Sequence, residues 1–216
     1  MKTKLTVSCL LALWGTAGAA IRPDGTDDNS YIAYANLPIF DSVGFFSGSP
    51  FAGASTAIGS ATVIDDGWWG LTAAHNIIGS SGQRYGAFQF GLGSSITAPP
   101  MNLSTVDQFW VHPGFTPGQT GKTMDVALLH FSSQITSVAP AIRARDVENR
   151  GMQIDIAGFG VPGTASTGPQ AFDGNKRGGE NIVESFGGDG RYYNIQPQYM
   201  MAAFDNPLYG GLLNRY

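Results

Sequence analysis

Cysteine is almost absent from the 216-residue sequence: the single one, Cys9, lies within the first twenty residues. A disulfide framework is therefore excluded, and a chain that is exported without disulfides must be stable through its hydrophobic core alone. The few histidines have no cysteine partners and no zinc-site spacing, and no EF-hand or phosphate-binding loop pattern is present. The sequence therefore indicates neither a metal nor a cofactor.

Charged side chains are also scarce, at 13% of the sequence, and the formal net charge is −4. An acidic balance argues against nucleic acid and against an anionic membrane surface as partners. Hydrophobic residues make up 43%, which is enough for a packed core and excludes a disordered chain. The 30 glycines, without a convincing long helical pattern, are typical of short strands joined by glycine-rich turns. We therefore predict an all-β protein, built as barrels or as a sandwich.

The first twenty residues, MKTKLTVSCLLALWGTAGAA, have the three parts of a secretory signal peptide. Lys2 and Lys4 give the positive start, residues 5–14 form an apolar core too short to span a bilayer, and small residues follow at 17–20. We predict cleavage after Ala20 and export of the remaining chain to the periplasm or the extracellular space. No later apolar run reaches spanning length, so the sequence predicts no membrane association once the signal peptide is removed.

Short apolar segments bounded by Gly, Ser and Asp predict the strands. The candidate segments are 39–64, 68–72, 85–93, 108–112, 124–131 and 152–160. Residues 21–38 have the composition of a polar lead-in, 132–150 that of a connector, and 161–181, rich in Gly, Thr and Pro, that of a long loop. One or two last strands are expected within residues 192–203.

Two polar residues next to apolar runs are candidates for chemistry. His75 follows the strand-like segment that ends in LTAA, and Asp125 opens the apolar segment VALLHF. A buried histidine needs a partner that fixes its tautomer, and a buried carboxylate needs donors, so each can satisfy the other. A carboxylate that orients one ring nitrogen leaves the other available as a base. The alternative is that His75 caps a turn and Asp125 caps a strand independently.

Four segments resemble those of the trypsin-like, chymotrypsin-fold serine proteases. LTAAHNI at 71–77 resembles their histidine motif, and MDVALLHF at 124–131 resembles their aspartate motif. VHPGF at 111–115 lies between them, where the family often has a His-Pro pair, and IDIAGFG at 154–160 resembles the strand that opens the second barrel. The order of His before Asp is that of chymotrypsin-type enzymes. Many relatives follow the histidine with a cysteine, whereas this sequence has Asn76.

The resemblance implies an all-β fold of two six-stranded antiparallel β-barrels. Residues 21–135 would form the first barrel, 136–150 a connector, and 151–216 part of the second barrel. His75 would be general base and then general acid, and Asp125 would hold the imidazole tautomer and stabilise the imidazolium. The substrate would be a protein or peptide, and this chemistry requires no metal or cofactor.

The family's nucleophile, a serine in a Gly-Asp-Ser-Gly-Gly motif, has no counterpart in this sequence. The serines after Asp125 are Ser132, Ser133, Ser137, Ser166 and Ser185, and none lies in such a motif. We therefore expect a second barrel that is incomplete, in a chain truncated before its nucleophile, and no proteolytic activity of this chain. Two alternatives remain open. One is a non-catalytic binding module on the same fold, and the other is an unrelated β-sandwich in which His75 and Asp125 lie far apart.

Overall fold

The computed structural model describes residues 19–49, 56–97, 102–119, 121–144, 148–190 and 193–202. The parts of the predicted signal peptide and of the predicted second barrel that lie in 1–18 and 203–216 fall outside these described residues. The chain is mostly β-structure, with 43% in strands and 9% in helices, which confirms the all-β prediction. No helix among the described residues is long and apolar enough to cross a membrane.

The described residues form thirteen strands and one α-helix. In chain order they are β1 Ala19–Arg22, α1 Asp28–Ala35, β2 Val43–Ser49, β3 Ala57–Ile64, β4 Trp69–Thr72, β5 Gly86–Leu92, β6 Asn102–Val111, β7 Ala127–Phe131, β8 Gln153–Phe159, β9 Val161–Thr164, β10 Gly168–Pro169, β11 Lys176–Ile182, β12 Ser185–Phe186 and β13 Met200–Met201. Two short 3-10 turns, Pro38–Phe40 and Ala74–Asn76, precede β2 and follow β4.

Strands β2 to β7 close into a barrel in the order β2-β3-β4-β7-β6-β5, and all neighbours are antiparallel. Inward-facing side chains alternate with less buried ones along β7, as a barrel with a packed interior requires. Phe46, Phe90, Leu129 and Phe131 are fully buried in it, and burial of each contributes about 1.5–3 kcal/mol. Gly70 packs on the Phe131 ring, where a Cβ atom would come within 2.7 Å of Cζ. The described residues therefore contain a closed six-stranded antiparallel barrel, in agreement with the predicted fold class.

The strands that follow residue 150 form smaller sheets. β8 pairs with β11 and β12 with β13, both antiparallel, and β9 lies between β1 and β10. The prediction of a loop over 161–181 is wrong, because β9, β10 and most of β11 lie in this range. Its Gly, Thr and Pro content is typical of loops, but Val161–Thr164 pairs in parallel with β1, a strand distant in sequence. Local composition cannot record such a partner.

The segment 21–38, expected to be a polar lead-in, contains the end of β1 and all of α1. Asp27 caps α1 by accepting a hydrogen bond from the Asn29 backbone N–H at 3.1 Å. Asp28, in the first turn, accepts two hydrogen bonds from the Arg177 guanidinium on β11, at 2.8 and 2.6 Å. The helix is therefore attached to the second half of the molecule.

A buried serine joins the barrel to the strands of the second half. Ser60 Oγ, on β3, accepts a hydrogen bond from the Phe159 backbone N–H at 2.7 Å and donates to the Phe159 carbonyl oxygen at 3.3 Å. Gly158 lies so close to it that a Cβ atom would come within 2.7 Å of the Ser60 hydroxyl. The contact between the barrel and β8 is therefore both tightly packed and hydrogen-bonded.

Candidate active site

A short turn after β4 carries His75 out of the barrel wall. The two alanines between Thr72 and His75 are buried, so the turn packs closely against the barrel. Asn76 Nδ2 donates to Thr72 Oγ1 at 3.0 Å, and Thr72 Oγ1 donates to the Ser60 carbonyl oxygen at 2.8 Å. Asn76, at the position where many trypsin-like proteases have cysteine, thus holds the turn through buried hydrogen bonds. The His75 side chain itself is 31% exposed.

Asp125 lies just before β7 and meets His75 through both carboxylate oxygens. Its Oδ2 is 2.6 Å from His75 Nδ1, and its Oδ1 accepts a hydrogen bond from the His75 backbone N–H at 2.9 Å. The Asp125 side chain is only 9% exposed. Burial acts to raise the pKa of this carboxyl, but hydrogen bonds from the His75 ring and from the backbone N–H groups of His75 and Ala74 outweigh burial and lower it.

The geometry fixes which ring nitrogen of His75 is available. An ionised carboxylate can only accept hydrogen bonds, so Nδ1 carries the proton that Asp125 binds. In the neutral imidazole this leaves the Nε2 lone pair free to take a proton from a neighbouring group. The carboxylate then stabilises the positive charge that forms on the ring. The pair can therefore act as an oriented general base.

The loop that carries Asp125 is bound by residues far along the chain. The Tyr199 hydroxyl donates to the Thr123 carbonyl oxygen at 2.6 Å and lies 3.4 Å from the Asp125 backbone nitrogen. The Gln196 backbone N–H donates to the Gly121 carbonyl oxygen at 2.8 Å. Tyr199 is not among the residues that the sequence singles out, because a hydrogen bond to a backbone carbonyl leaves no pattern in the partner's sequence.

The other two histidines have partners of their own. His112 Nδ1 accepts a hydrogen bond from the Gly114 backbone N–H at 3.0 Å. His130 Nδ1 lies 2.7 Å from Asp107 Oδ1, and its ring stacks on Trp68 with 5.7 Å between centroids. Within the part of the chain that the structure describes, no group of three or more His, Cys, Asp or Glu side chains could hold a metal ion.

Serine hydroxyls near acidic groups occur elsewhere in the second half. Ser166 Oγ donates to Asp24 Oδ1 at 2.7 Å, and Ser185 Oγ donates to Asp189 Oδ2 at 3.3 Å. Among the described residues, no serine hydroxyl makes a hydrogen bond to His75. The structure therefore brings together the predicted histidine and aspartate without adding a serine to them.

Comparison with known proteins finds similarity in three-dimensional structure. No family model matches the sequence, and no curated protein matches it significantly. The fold is similar to that of GrC, with 18% identity, a TM-score of 0.56 and coverage of 69% of this chain and 63% of that one. Neuropsin, a serine protease expressed in the limbic system of mouse brain, is 20% identical, with a TM-score of 0.52 and coverage of 69% of this chain and 62% of that one. The protease Anisep from Arthrobacter nicotinovorans is 14% identical, with a TM-score of 0.52 and coverage of 67% of this chain and 65% of that one.

The chain therefore has the chymotrypsin-like fold of the trypsin-like serine proteases, as its motifs predicted. It spans between 62% and 65% of the length of these solved structures. At such low identity the likeness concerns the fold, and the chemistry must be argued from the residues of the site. The 2.6 Å distance between His75 Nδ1 and Asp125 Oδ2 excludes the unrelated sandwich in which the two lie far apart.

Proposed function

We propose that His75 and Asp125 are the general base and the orienting carboxylate of a serine endopeptidase site. The observation that carries the proposal is the double contact between them, in which one carboxylate binds both the ring Nδ1 and the backbone N–H of the same histidine. A carboxylate that only capped a strand would have no reason to meet both donors. Both residues also lie in segments that resemble the corresponding motifs of proteases with this fold.

In this mechanism His75 Nε2 takes the proton of a serine hydroxyl as the oxygen attacks the peptide carbonyl carbon. The same nitrogen then returns the proton to the leaving amine, so the peptide bond breaks and an acyl-serine forms. Asp125 remains ionised and stabilises the imidazolium, which is consistent with its lowered pKa. Water then hydrolyses the acyl-serine by the same base catalysis. The substrates are proteins or peptides, and no cofactor takes part.

We further propose that none of the serines in this sequence is the nucleophile. No serine after Asp125 lies in a Gly-Asp-Ser-Gly-Gly motif. The hydroxyls of Ser166 and Ser185, the two serines of the second half, are bonded to aspartates. The chain therefore orients a base without a nucleophile to deprotonate, and we expect it not to hydrolyse peptides.

Labelling with a fluorophosphonate probe tests this proposal, because such probes phosphonylate an activated serine. The purified chain should give no adduct by mass spectrometry and should leave casein intact. An adduct on a serine, lost in a His75→Ala variant, would name the nucleophile and overturn the assignment of inactivity.

Coding DNA beyond the Tyr216 codon, read in all three frames, supplies the complementary test. If a Gly-Asp-Ser-Gly-Gly motif is found there, a chain extended through that motif should hydrolyse casein in a His75-dependent manner; if none is found, the assignment of inactivity stands. An extended chain that remained inactive would argue against the base assignment.

A second function is favoured by the bonding of Ser166 and Ser185 to aspartates rather than to His75. A chain with this fold and no nucleophile can bind a peptide without cleaving it. Peptides captured from a library on the immobilised chain should then be recovered intact, and an Asp125→Asn variant should retain them equally well, because binding requires no base. Recovery of cleaved peptides would exclude this alternative.

A further inference from the structure

The loop of residues 121–125 is bound by one segment of the second half, residues 195–199, in addition to the Gly114 carbonyl oxygen, which accepts from the Met124 backbone N–H at 3.2 Å. The Gln196 backbone N–H binds the Gly121 carbonyl oxygen at 2.8 Å, and Gln196 Nε2 binds the Lys122 carbonyl oxygen at 3.3 Å. These contacts are to backbone atoms of the loop, so they fix its path rather than any one side chain. Asp125 stands at the end of this loop, three residues after Lys122.

Tyr199 makes the contact nearest to the His75–Asp125 pair. Its hydroxyl donates to the Thr123 carbonyl oxygen at 2.6 Å, a short and strong hydrogen bond. The same oxygen faces the Asp125 backbone N–H across a longer 3.4 Å. One phenol group therefore contacts the backbone on both sides of Met124, at the Thr123 carbonyl oxygen and at the Asp125 nitrogen.

The backbone of Tyr199 is itself held in place. Its carbonyl oxygen accepts from the Gly187 N–H at 2.9 Å, and its own N–H donates to the Gln196 carbonyl oxygen at 3.1 Å. Gly187 is required at its position, because a Cβ atom there would collide with the Gln196 carbonyl oxygen. The position of the Tyr199 hydroxyl is thus well defined, because its ring is rigid and its backbone is hydrogen-bonded on both sides.

We infer that Tyr199 is a positioning residue for the His75–Asp125 pair. Asp125 can meet the His75 ring and the His75 backbone N–H together only if its backbone is held within about half an ångström, and functional constellations depend on such support. Tyr199 supplies this support from the second half of the chain, 74 residues beyond Asp125. The inference rests on the proposed function, since it assigns a role in orienting the proposed base.

The test is a Tyr199→Phe variant of the full chain, which keeps the ring and removes only the hydroxyl. Hydrogen exchange of the His75 backbone N–H, whose acceptor is Asp125 Oδ1, should become roughly five-fold faster. The pKa of the Asp125 carboxyl, measured by carbon NMR, should rise, because looser contacts with His75 lower it less. The matched control is Tyr193→Phe, which removes a hydroxyl from a residue that is 72% exposed and lies two positions before this segment. It should change neither quantity.

Exchange at Leu129, fully buried in the barrel, separates positioning from general loosening of the fold. An effect at His75 and Asp125 with Leu129 unchanged supports the inference. Equal acceleration of exchange at His75 and Leu129, or no change at His75, overturns it. An Asp125→Ala variant, which removes the acceptor, distinguishes failure of the proposed function: if it leaves exchange of the His75 backbone N–H unaltered, Asp125 does not accept that hydrogen bond in solution and the base assignment itself fails. If the Asp125 variant changes exchange of the His75 backbone N–H and Tyr199→Phe does not, the base assignment stands and the positioning role is wrong.

Discussion

The Arg177 guanidinium binds α1 to β11, and its removal should be costly. Arg177 is 3% exposed and donates to Asp28 at 2.8 and 2.6 Å and to Asp173 at 2.9 and 2.6 Å. Removing one partner from a buried ion pair costs about 3–5 kcal/mol. The two carboxylates are 30% and 36% exposed and can regain water, so part of this cost is recovered. For Arg177→Met we expect a loss of about 2–3 kcal/mol in the free energy of unfolding.

The pH dependence gives this prediction a second, independent readout. Hydrogen bonds from Arg177 lower the pKa of both Asp28 and Asp173 below the ordinary value of 3.8. A carboxyl with a lowered pKa in the folded state contributes stability that is complete above its unfolded pKa and is lost as the pH falls through its folded pKa. The wild-type chain should therefore lose this contribution below about pH 4, while Arg177→Met has less of it to lose. The difference in stability between the two should shrink from pH 7 to pH 3.

Urea unfolding followed by circular dichroism at both pH values measures the two quantities. The matched control is Arg143→Met, because Arg143 is 69% exposed and makes one ion pair with Asp65 at 3.3 Å. We expect it to cost less than about 0.5 kcal/mol at either pH. The reasoning is wrong if the Arg177→Met difference is as large at pH 3 as at pH 7, or if both variants cost the same.

Two further substitutions test the packing of the barrel. Ser60→Ala removes the acceptor of the buried Phe159 N–H and should cost about 1–3 kcal/mol in urea unfolding, and an unchanged midpoint would show that this contact contributes little. Phe131→Ala removes a fully buried ring that packs on Phe90 with 4.9 Å between centroids, and should cost about 3–5 kcal/mol. Leu103→Ala, at a side chain 61% exposed, should change the midpoint little, and a similar loss in both would contradict the core assignment.

The first barrel and the His75–Asp125 contact could be predicted because their signals are local. Strands such as β3 and β7 are apolar runs ended by turn residues, which predict the strands themselves. The local pattern left a barrel and a sandwich open, and the barrel was implied by the resemblance to the trypsin-like proteases, because the pairs β4–β7 and β2–β5 are not consecutive in sequence. His75 and Asp125 stand beside such runs, where a polar side chain must find a partner. The two residue types suit each other chemically, and the resemblance of their segments to the protease motifs favoured this pairing over two independent caps.

The second half could not be predicted in the same way, because its strands depend on distant neighbours. Gly178 in β11 favours a loop when read locally. In the fold, the glycine lets α1 and β8 pack closely on β11, because a Cβ atom there would lie 3.3 Å from the Ala35 Cα of α1 and 2.9 Å from the Ile156 carbonyl oxygen of β8. Tyr199 was missed for a related reason: its acceptor is the carbonyl oxygen of Thr123, which every residue type possesses.

The attachment of the N-terminal segment to the second half also sets an order of events during synthesis. Arg22 binds the Gly163 carbonyl oxygen 141 residues away, and Asp28 meets Arg177 across 149 residues. At a translation rate of about 5–20 residues per second, Arg177 of the partner strand is synthesised roughly 7–30 s after Asp28 of α1. The strands of the barrel, all within residues 43–131, are complete well before then. Residues 22–35, which are synthesised before the barrel strands, are thus among the last to acquire their tertiary contacts, and a nascent chain stalled before residue 176 would carry every barrel strand and a helix α1 not yet docked on β11.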